Sequence, residues 1–228
     1  MSFKPATSGV DIVNMALGMV SETKTISSFD DAGAVAQAAR KWYKPVVARL
    51  LEMHHWGLAT SRSPTIGVTN NRSNEWLYAY AAPDNMAFPV GLVLGNGTSS
   101  VSYYRGLAGL LGMIDGRPIF QHAGTTIYSN IAGDLEYVSY DITEADFTAT
   151  FADIVILMLA SRFALELPKD KSLSESLAKD ATTAMNVAFT QNLNAGNHKY
   201  GAIASEAELA RGIGHGYNWD YFPLGPGA

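Results

Sequence analysis

The 228-residue chain has no cysteine, which excludes disulfides, thiolate nucleophiles and zinc ribbons together. Charge is scarce, at 16% of residues, and the net charge is −5. With no basic run, that balance argues against a conventional nucleic-acid binder, which needs a basic patch or stripe. Long hydrophobic runs are also missing: the longest, Ile154 to Ala160, is far too short to span a bilayer. The N-terminal MSFKPATSGVDI lacks the apolar core of a secretion signal, so a soluble protein folded in a cytoplasm is expected. What the chain does have is aromatics, with 11 Tyr and 4 Trp, which suit either a protein–protein surface or a well-packed core. Its length fits one large domain or two small ones.

Helical period dominates the two flanks. Ser8, with Asp11 three residues on, caps a first helix predicted over 9–20. A polar loop follows, and Asp30 or Asp31 opens a long helix over 31–56 whose apolar stripe is Val35, Ala39, Trp42, Val46, Leu50 and Met53. Tyr43, Val47 and Leu51 widen that stripe, while Lys41, Lys44 and Glu52 lie on another face. Pro45 kinks the helix without ending it, because the stripe resumes beyond it. Thr143, with Asp146, caps a third helix over 144–167. Phe147, Phe151, Ile154, Met158 and Leu165 share one face of it, and Val155, Ile156, Leu157 and Leu159 fill much of the rest. A helix apolar nearly all round is central to its own domain or covered by a partner. A fourth helix over 172–193 buries Leu173, Leu177, Ala181, Ala184 and Ala188, with Gly196 as its stop.

Between the second and third helices the period becomes two. Trp76 to Tyr80 alternates, and Phe88–Leu94, Pro118–His122, Thr125–Asn130 and Leu135–Ile142 are further short strands. His122-Ala123-Gly124-Thr125 and Asn130 to Asp134 are turns. Links this short predict an antiparallel meander, since parallel crossovers need a dozen residues or so. The β insert covers about residues 65–142. Within it, a Gly- and Ser-rich stretch from Gly95 to Gly116 holds Tyr103, Tyr104, Leu107, Leu110 and Leu111, and reads as a loop or a short amphipathic arm. From 196 to 228 an extended tail carries Trp219, Tyr221 and Phe222 with no regular period. The expected class is α+β: a helical bundle over 1–195 with an inserted antiparallel sheet, then the tail.

Catalytic constellations are few. Glu52-Met53-His54-His55 has the Glu-x-x-His spacing of di-metal bundles, but no second such motif exists and no histidine lies three or four residues from either imidazole. Adjacent helical residues point about 100° apart, so the pair cannot readily chelate one ion. The alternative is that the imidazoles finish the last helical turn, where the helix dipole favours them, with Gly57 giving a left-handed exit and Trp56 packing down. Two Ser-x-x-Lys matches lack their companion motifs. Gly95-Asn96-Gly97 lacks the third glycine of a dinucleotide fingerprint. Asp141, Glu144 and Asp146 flank a helix start, where carboxylates stabilise without doing chemistry. Neither a catalytic residue, a metal ligand nor a cofactor site is assigned. A carbohydrate hydrolase stays open as the alternative, because two suitably placed carboxylates suffice and leave no local motif.

His55-Trp56-Gly57-Leu58-Ala59-Thr60-Ser61-Arg62, followed by Trp76-Leu77-Tyr78-Ala79-Tyr80 and Pro83, resembles the tail tubular protein A family of short-tailed phages. Ile12 to Leu17, Ile26 to Asp31, Leu135-Glu136-Tyr137, Asp146-Phe147 and Phe151 fit the same pattern, so the resemblance covers about residues 8–195. The chain departs from the family at Gly57, in the longer 95–116 segment and in the tail. The resemblance implies a structural, non-enzymatic virion protein: a head–tail connector forming a dodecameric ring between the portal protein and the tail nozzle (tail tubular protein B). DNA would pass through the lumen during ejection without sequence-specific binding, and no membrane is involved. The ring would be assembled in the host cytoplasm and end at the head–tail junction of the virion. Tyr103, Tyr104, Leu107, Leu110, Trp219, Tyr221 and Phe222 are the candidate partner-contacting residues.

Overall fold

The computed structural model describes residues 8–20, 22, 24–93, 113–114, 117–118 and 120–197. The fold is α+β, with four α-helices and two small antiparallel sheets among those residues, plus a two-stranded ribbon. Residues Met1–Phe189 form one compact unit; Thr190–Ala228 form a second, of which residues 190–197 are described.

Helix α1 (Gly9–Met19) starts on a capping box: Ser8 Oγ accepts from Asp11 N at 3.2 Å, and the Asp11 carboxylate accepts from Ser8 N at 3.0 Å. Two otherwise orphaned donors are satisfied reciprocally. Its buried side, Ile12, Val13, Ala16 and Leu17, joins the core. Helix α2 spans Ala34–Met53, shorter at both ends than the expected 31–56. Asp31 is used elsewhere, its carboxylate accepting from Ser27 N at 2.6 Å and Ser28 N at 3.1 Å in a turn. Gly33 stands at the N-cap with φ 117, a conformation that suits glycine best. Pro45 lies inside α2 on its exposed side, and Val46 and Leu50 continue the buried stripe past it.

The third helix also starts later than expected. Thr143 and Asp146 form a capping box, but it closes only the 3-10 turn Glu144–Asp146. Phe147 then turns extended, and Thr148 caps α3 (Ala149–Glu166) by accepting from Phe151 N at 3.2 Å. Helix α3 is the centre of the bundle: Phe151, Ile154, Val155, Leu159, Ala160, Phe163 and Ala164 are buried, and Ile156, Leu157 and Met158 half-buried. Helices α1, α2 and α4 cover most of it, so most of its apolarity is accounted for within its own domain, but Leu165, expected on the shared apolar face, stays exposed near the helix end. Helix α4 spans Lys171–Asn197, beyond the expected 172–193. Gly196 lies inside it, because a glycine lowers helix propensity but stops a helix only where the chain turns left-handed. Reciprocal bonds tie α3 to α4: Ser161 Oγ donates to Ser174 O at 3.0 Å and Ser174 Oγ to Ser161 O at 2.8 Å.

The insert is not a meander. One sheet has the order β1-β8-β3, from Thr60–Ser63, Asp134–Ser139 and Met86–Val93. The other has the order β2-β7-β6, from Tyr78–Ala81, Thr126–Ser129 and Phe120–Ala123. The ribbon pairs β4 (Met113–Ile114) with β5 (Arg117–Pro118). Strands β6 and β7 form a tight hairpin, turning at Gly124 with φ +62. Pro89 is tolerated because β3 is an edge strand with register shifts on either side of it. Strand β8 alternates between two cores. Val138 faces the helices, whereas Leu135 and Tyr137 pack with Leu92, Tyr80 and Ile127. The first sheet is therefore a middle layer between the helical body and the second sheet.

Candidate functional site

The joint between helices and insert is built by residues 52–64. Met53 is the last residue of α2, and His54 is already extended at φ −157, so neither imidazole finishes a helical turn as expected. Nor does Gly57 turn left-handed; it opens the 3-10 turn Gly57–Ala59, and strand β1 follows at Thr60, a strand the sequence reading missed. The cause is Trp56. Its ring is buried edge-on against Phe151 at 5.0 Å, and its Nε1–H donates to Leu50 O at 2.7 Å. The indole thus takes up one of the carbonyls left over at the end of α2, and the chain must leave the helix to bring it there.

The two histidines diverge. His54 stacks on Phe189 with centroids 4.2 Å apart, and meets Trp56 edge-on at 5.6 Å. Burial, and then the neighbouring His55, hold its pKa below the ordinary imidazole value. His55 Nε2 lies 3.0 Å from Thr60 Oγ1, whose own proton goes to Trp56 O at 2.9 Å. Thr60 therefore accepts, and His55 carries its proton on Nε2 in that bond. Glu52 accepts from Tyr140 Oη at 2.5 Å, a bond that pushes the phenol up to about 12. Glu52, His54 and His55 thus engage three different partners. No group of three or more His, Cys, Asp or Glu able to hold a metal occurs among the described residues.

The carboxylates near the third helix are likewise engaged one by one. Asp141 accepts from Asn85 Nδ2 at 2.5 Å, Glu144 from Tyr43 Oη at 2.9 Å, and Asp146 caps Thr143. Burial and the Glu144 bond raise the Tyr43 phenol far above its usual range. Gly9 packs against this pair so closely that a Cβ there would sit 2.7 Å from Glu144 Oε1.

One surface was seen only in part from the sequence, and a second escaped it. On the exposed side of α2, Lys41 and Lys44 lie on the face the sequence marks, while Arg40 and Arg49 stand on opposite flanks, about 180° apart. Beside it, Lys41 Nζ and Arg162 Cζ lie 4.8 and 5.1 Å from the Trp42 ring centroid, and Trp42 Nε1–H and Lys41 both bond Glu166. The second surface is the outer side of the β2 sheet. Residues 66–68 run antiparallel to β2, with Val68 N donating to Ala79 O at 2.9 Å and Ala81 N to Ile66 O at 2.8 Å. That register puts Ile66, Val68 and Leu77 on one face, opposite to buried Tyr80. Ile66 and Leu77 are 70% and 69% exposed, unusual for large apolar side chains. Alternation marked the strand, but only the pairing shows that Leu77 shares its face with Ile66 and Val68.

The expected partner residues Tyr103, Tyr104, Leu107, Leu110, Trp219, Tyr221 and Phe222 lie outside the described residues. No helix among the described residues is long and apolar enough to cross a membrane. No protein-family model matches the chain, and a search of the curated proteins finds no match.

Proposed function

We propose that the chain is a structural virion protein, the adaptor that forms a ring between portal and tail nozzle of a short-tailed phage. The observation that carries this reading is what the His55-to-Arg62 signature does. Trp56 and Ala59 are buried, His55 and Thr60 bond each other, and Arg62 pairs with Glu136 at 3.3 Å across β1 and β8. Every named residue of the signature serves the joint between body and insert, which suits a scaffold family rather than a catalytic one. The exposed side chains of Ile66, Val68 and Leu77 support it as well, since exposed apolar groups sharing one face are a common mark of a protein contact. The apolar α3 does not count in its favour, because the domain itself covers most of that helix.

In this reading a head-to-tail contact closes by rotation into a ring, DNA passes through the lumen, and the 95–116 segment and the tail meet portal or nozzle. The test is to mix the full chain with portal rings of its own virus and measure particle mass. The expected result is a complex of fixed copy number that Trp219→Ala with Phe222→Ala weakens. A chain that ignores portal rings and instead turns over a host polysaccharide would overturn the reading in favour of the hydrolase.

A further inference from the structure

Residues 65–69, Thr-Ile-Gly-Val-Thr, have the same chemistry in either direction from Gly67: an apolar β-branched residue, then a threonine. This segment is an edge of the second sheet. Val68 N donates to Ala79 O and Ala81 N to Ile66 O, with Gly67 opposite Tyr80. In an antiparallel pair the backbone groups of successive residues point to opposite sides. Those of Ile66 and Val68 point to β2, so those of Gly67 point away from it. Neither the Gly67 N–H nor its carbonyl has a backbone partner among the described residues. Ile66, Gly67, Val68 and Thr69 are all exposed.

An open edge is a template for another strand, and proteins guard such edges with charge, proline or a bulge. Here no Lys, Arg, Asp or Glu occurs between Arg62 and Arg72, and no proline within 65–69. Nor does the chain's own fold require glycine at 67: its φ is not positive, and a Cβ there would meet nothing within 4 Å. Any extended strand would satisfy the backbone groups of Gly67. The near-palindrome selects the same segment of a second copy, because its two halves match when one strand is reversed against the other. With a two-fold axis at Gly67, the two glycines exchange their N–H···O bonds, Ile66 of each copy meets Val68 of the other, and Thr65 meets Thr69. Threonine pairs and apolar β-branched neighbours both suit a pleated surface.

We propose that residues 65–69 pair antiparallel with the same segment of a second copy of this chain, across a two-fold axis at Gly67, joining the two second sheets edge to edge. Such a contact is isologous and closes at two copies. It goes beyond the ring reading, whose contact is head-to-tail, and does not rest on it. The edge is short, so the pair is weak and concentration-dependent.

The test uses the full chain without portal. Sedimentation over rising concentration should show a monomer–dimer equilibrium. Backbone bonds and apolar side chains hold the pair, so raising salt from about 0.1 M to about 1 M should not dissolve it. Gly67→Pro removes the outward N–H and leaves the bonds of Ile66 and Val68 to β2 in place; it should weaken the pair about tenfold or more. Val68→Lys, which puts a charge on the edge, should also weaken it. Circular dichroism checks that both variants are folded. Gly67→Cys reads the register, because the chain has no other cysteine and directly paired positions lie about 5.5 Å apart, within disulfide reach. Copper-catalysed air oxidation should link Gly67→Cys copies about tenfold faster or more than copies carrying Lys179→Cys, on the exposed side of α4, whose thiols meet only by collision. A chain that stays monomeric throughout, a dimer indifferent to both Gly67→Pro and Val68→Lys, or equal linking at 67 and 179 would overturn the contact. The adaptor reading fails separately, if a wild type that pairs in this way ignores portal rings.

Discussion

In the helical body, Ile12, Leu17, Leu50, Phe151, Ile154, Leu159 and Phe163 are fully buried in one continuous core. The insert has a separate small core of Tyr80, Leu92, Ile127, Leu135 and Tyr137, and surrounds it with polar side-chain bonds. Tyr128 Oη donates to Asn71 at 2.6 Å, Arg72 to Gln121 at 2.9 Å, and Asn130 accepts from Leu77 N at 3.0 Å. Asn85 holds Ser139, Asp141 and Tyr137 at once. The body is thus specified by apolar periodicity, whereas the insert is specified by register and by individual hydrogen bonds. Periodicity tolerates a proline at position 45. Register does not tolerate a slip, because one residue would exchange Val138 with Tyr137 and offer the helices the wrong face.

That contrast can be broken most forcefully at the cores. Phe151→Ala should cost about 3–5 kcal/mol of unfolding free energy, read by chemical denaturation, because it opens a cavity beneath Trp56 and Phe147. Ile127→Ala, in the smaller core, should cost less and leave the helical circular dichroism in place at denaturant concentrations where insert aromatics are already exposed. Equal losses in one shared transition would erase the distinction between the two regions.

The joint comes next. Trp56→Phe keeps most of the apolar contact but leaves Leu50 O without its donor, and should cost about 1–3 kcal/mol. A loss within error would show that the indole bond is dispensable and that burial alone sets where α2 stops.

At the corner where α1 meets the 3-10 turn, Gly9→Ala should cost about 1 kcal/mol, because its Cβ must displace the Glu144 carboxylate or the Tyr43 hydroxyl. In a Glu144→Ala background the same substitution should cost less. An unchanged penalty would place the conflict in the backbone instead.

The smallest effect concerns acid. The Trp42 Nε1–H bond, followed by Lys41, holds Glu166 below its ordinary 4.5. A carboxyl depressed in the folded state adds stability above its unfolded value, and loses it as pH falls through its folded value. Trp42→Phe should therefore move the Glu166 midpoint, followed by carbon NMR of the carboxyl, upward towards 4.5. No movement would assign the depression to Lys41. The effect on stability should be slight, since both partners of the ion pair are partly exposed.

Much of the helical part was legible in the residues. Ser8 with Asp11 announces α1, and the Val46-to-Leu50 stripe runs straight through Pro45. The errors fall at ends. Asp31, Thr143 and Gly196 all carry the chemistry of a helix boundary, yet Asp31 is spent in a turn, Thr143 caps a single 3-10 turn, and Gly196 is still helical, as is Asn197, the last described residue. Each local preference is worth about 1 kcal/mol, which a neighbouring contact can override. At the joint, the pull on Trp56 from Phe151, nearly a hundred positions away, ended the helix three residues early.

Taken alone, the residues determined that this protein is α+β, that its flanks are helical and its middle is strands, and which side chains are apolar enough to be buried. These follow from period and local chemistry, which act between residues three, four or two apart. Tertiary structure alone decided that β8 lies between β1 and β3, that most of α3 is covered by its own domain, and that Ile66 and Leu77 are exposed. Those depend on pairing between segments far apart in the chain, where many registers satisfy the same alternation and only simultaneous burial of both faces of the middle sheet selects one.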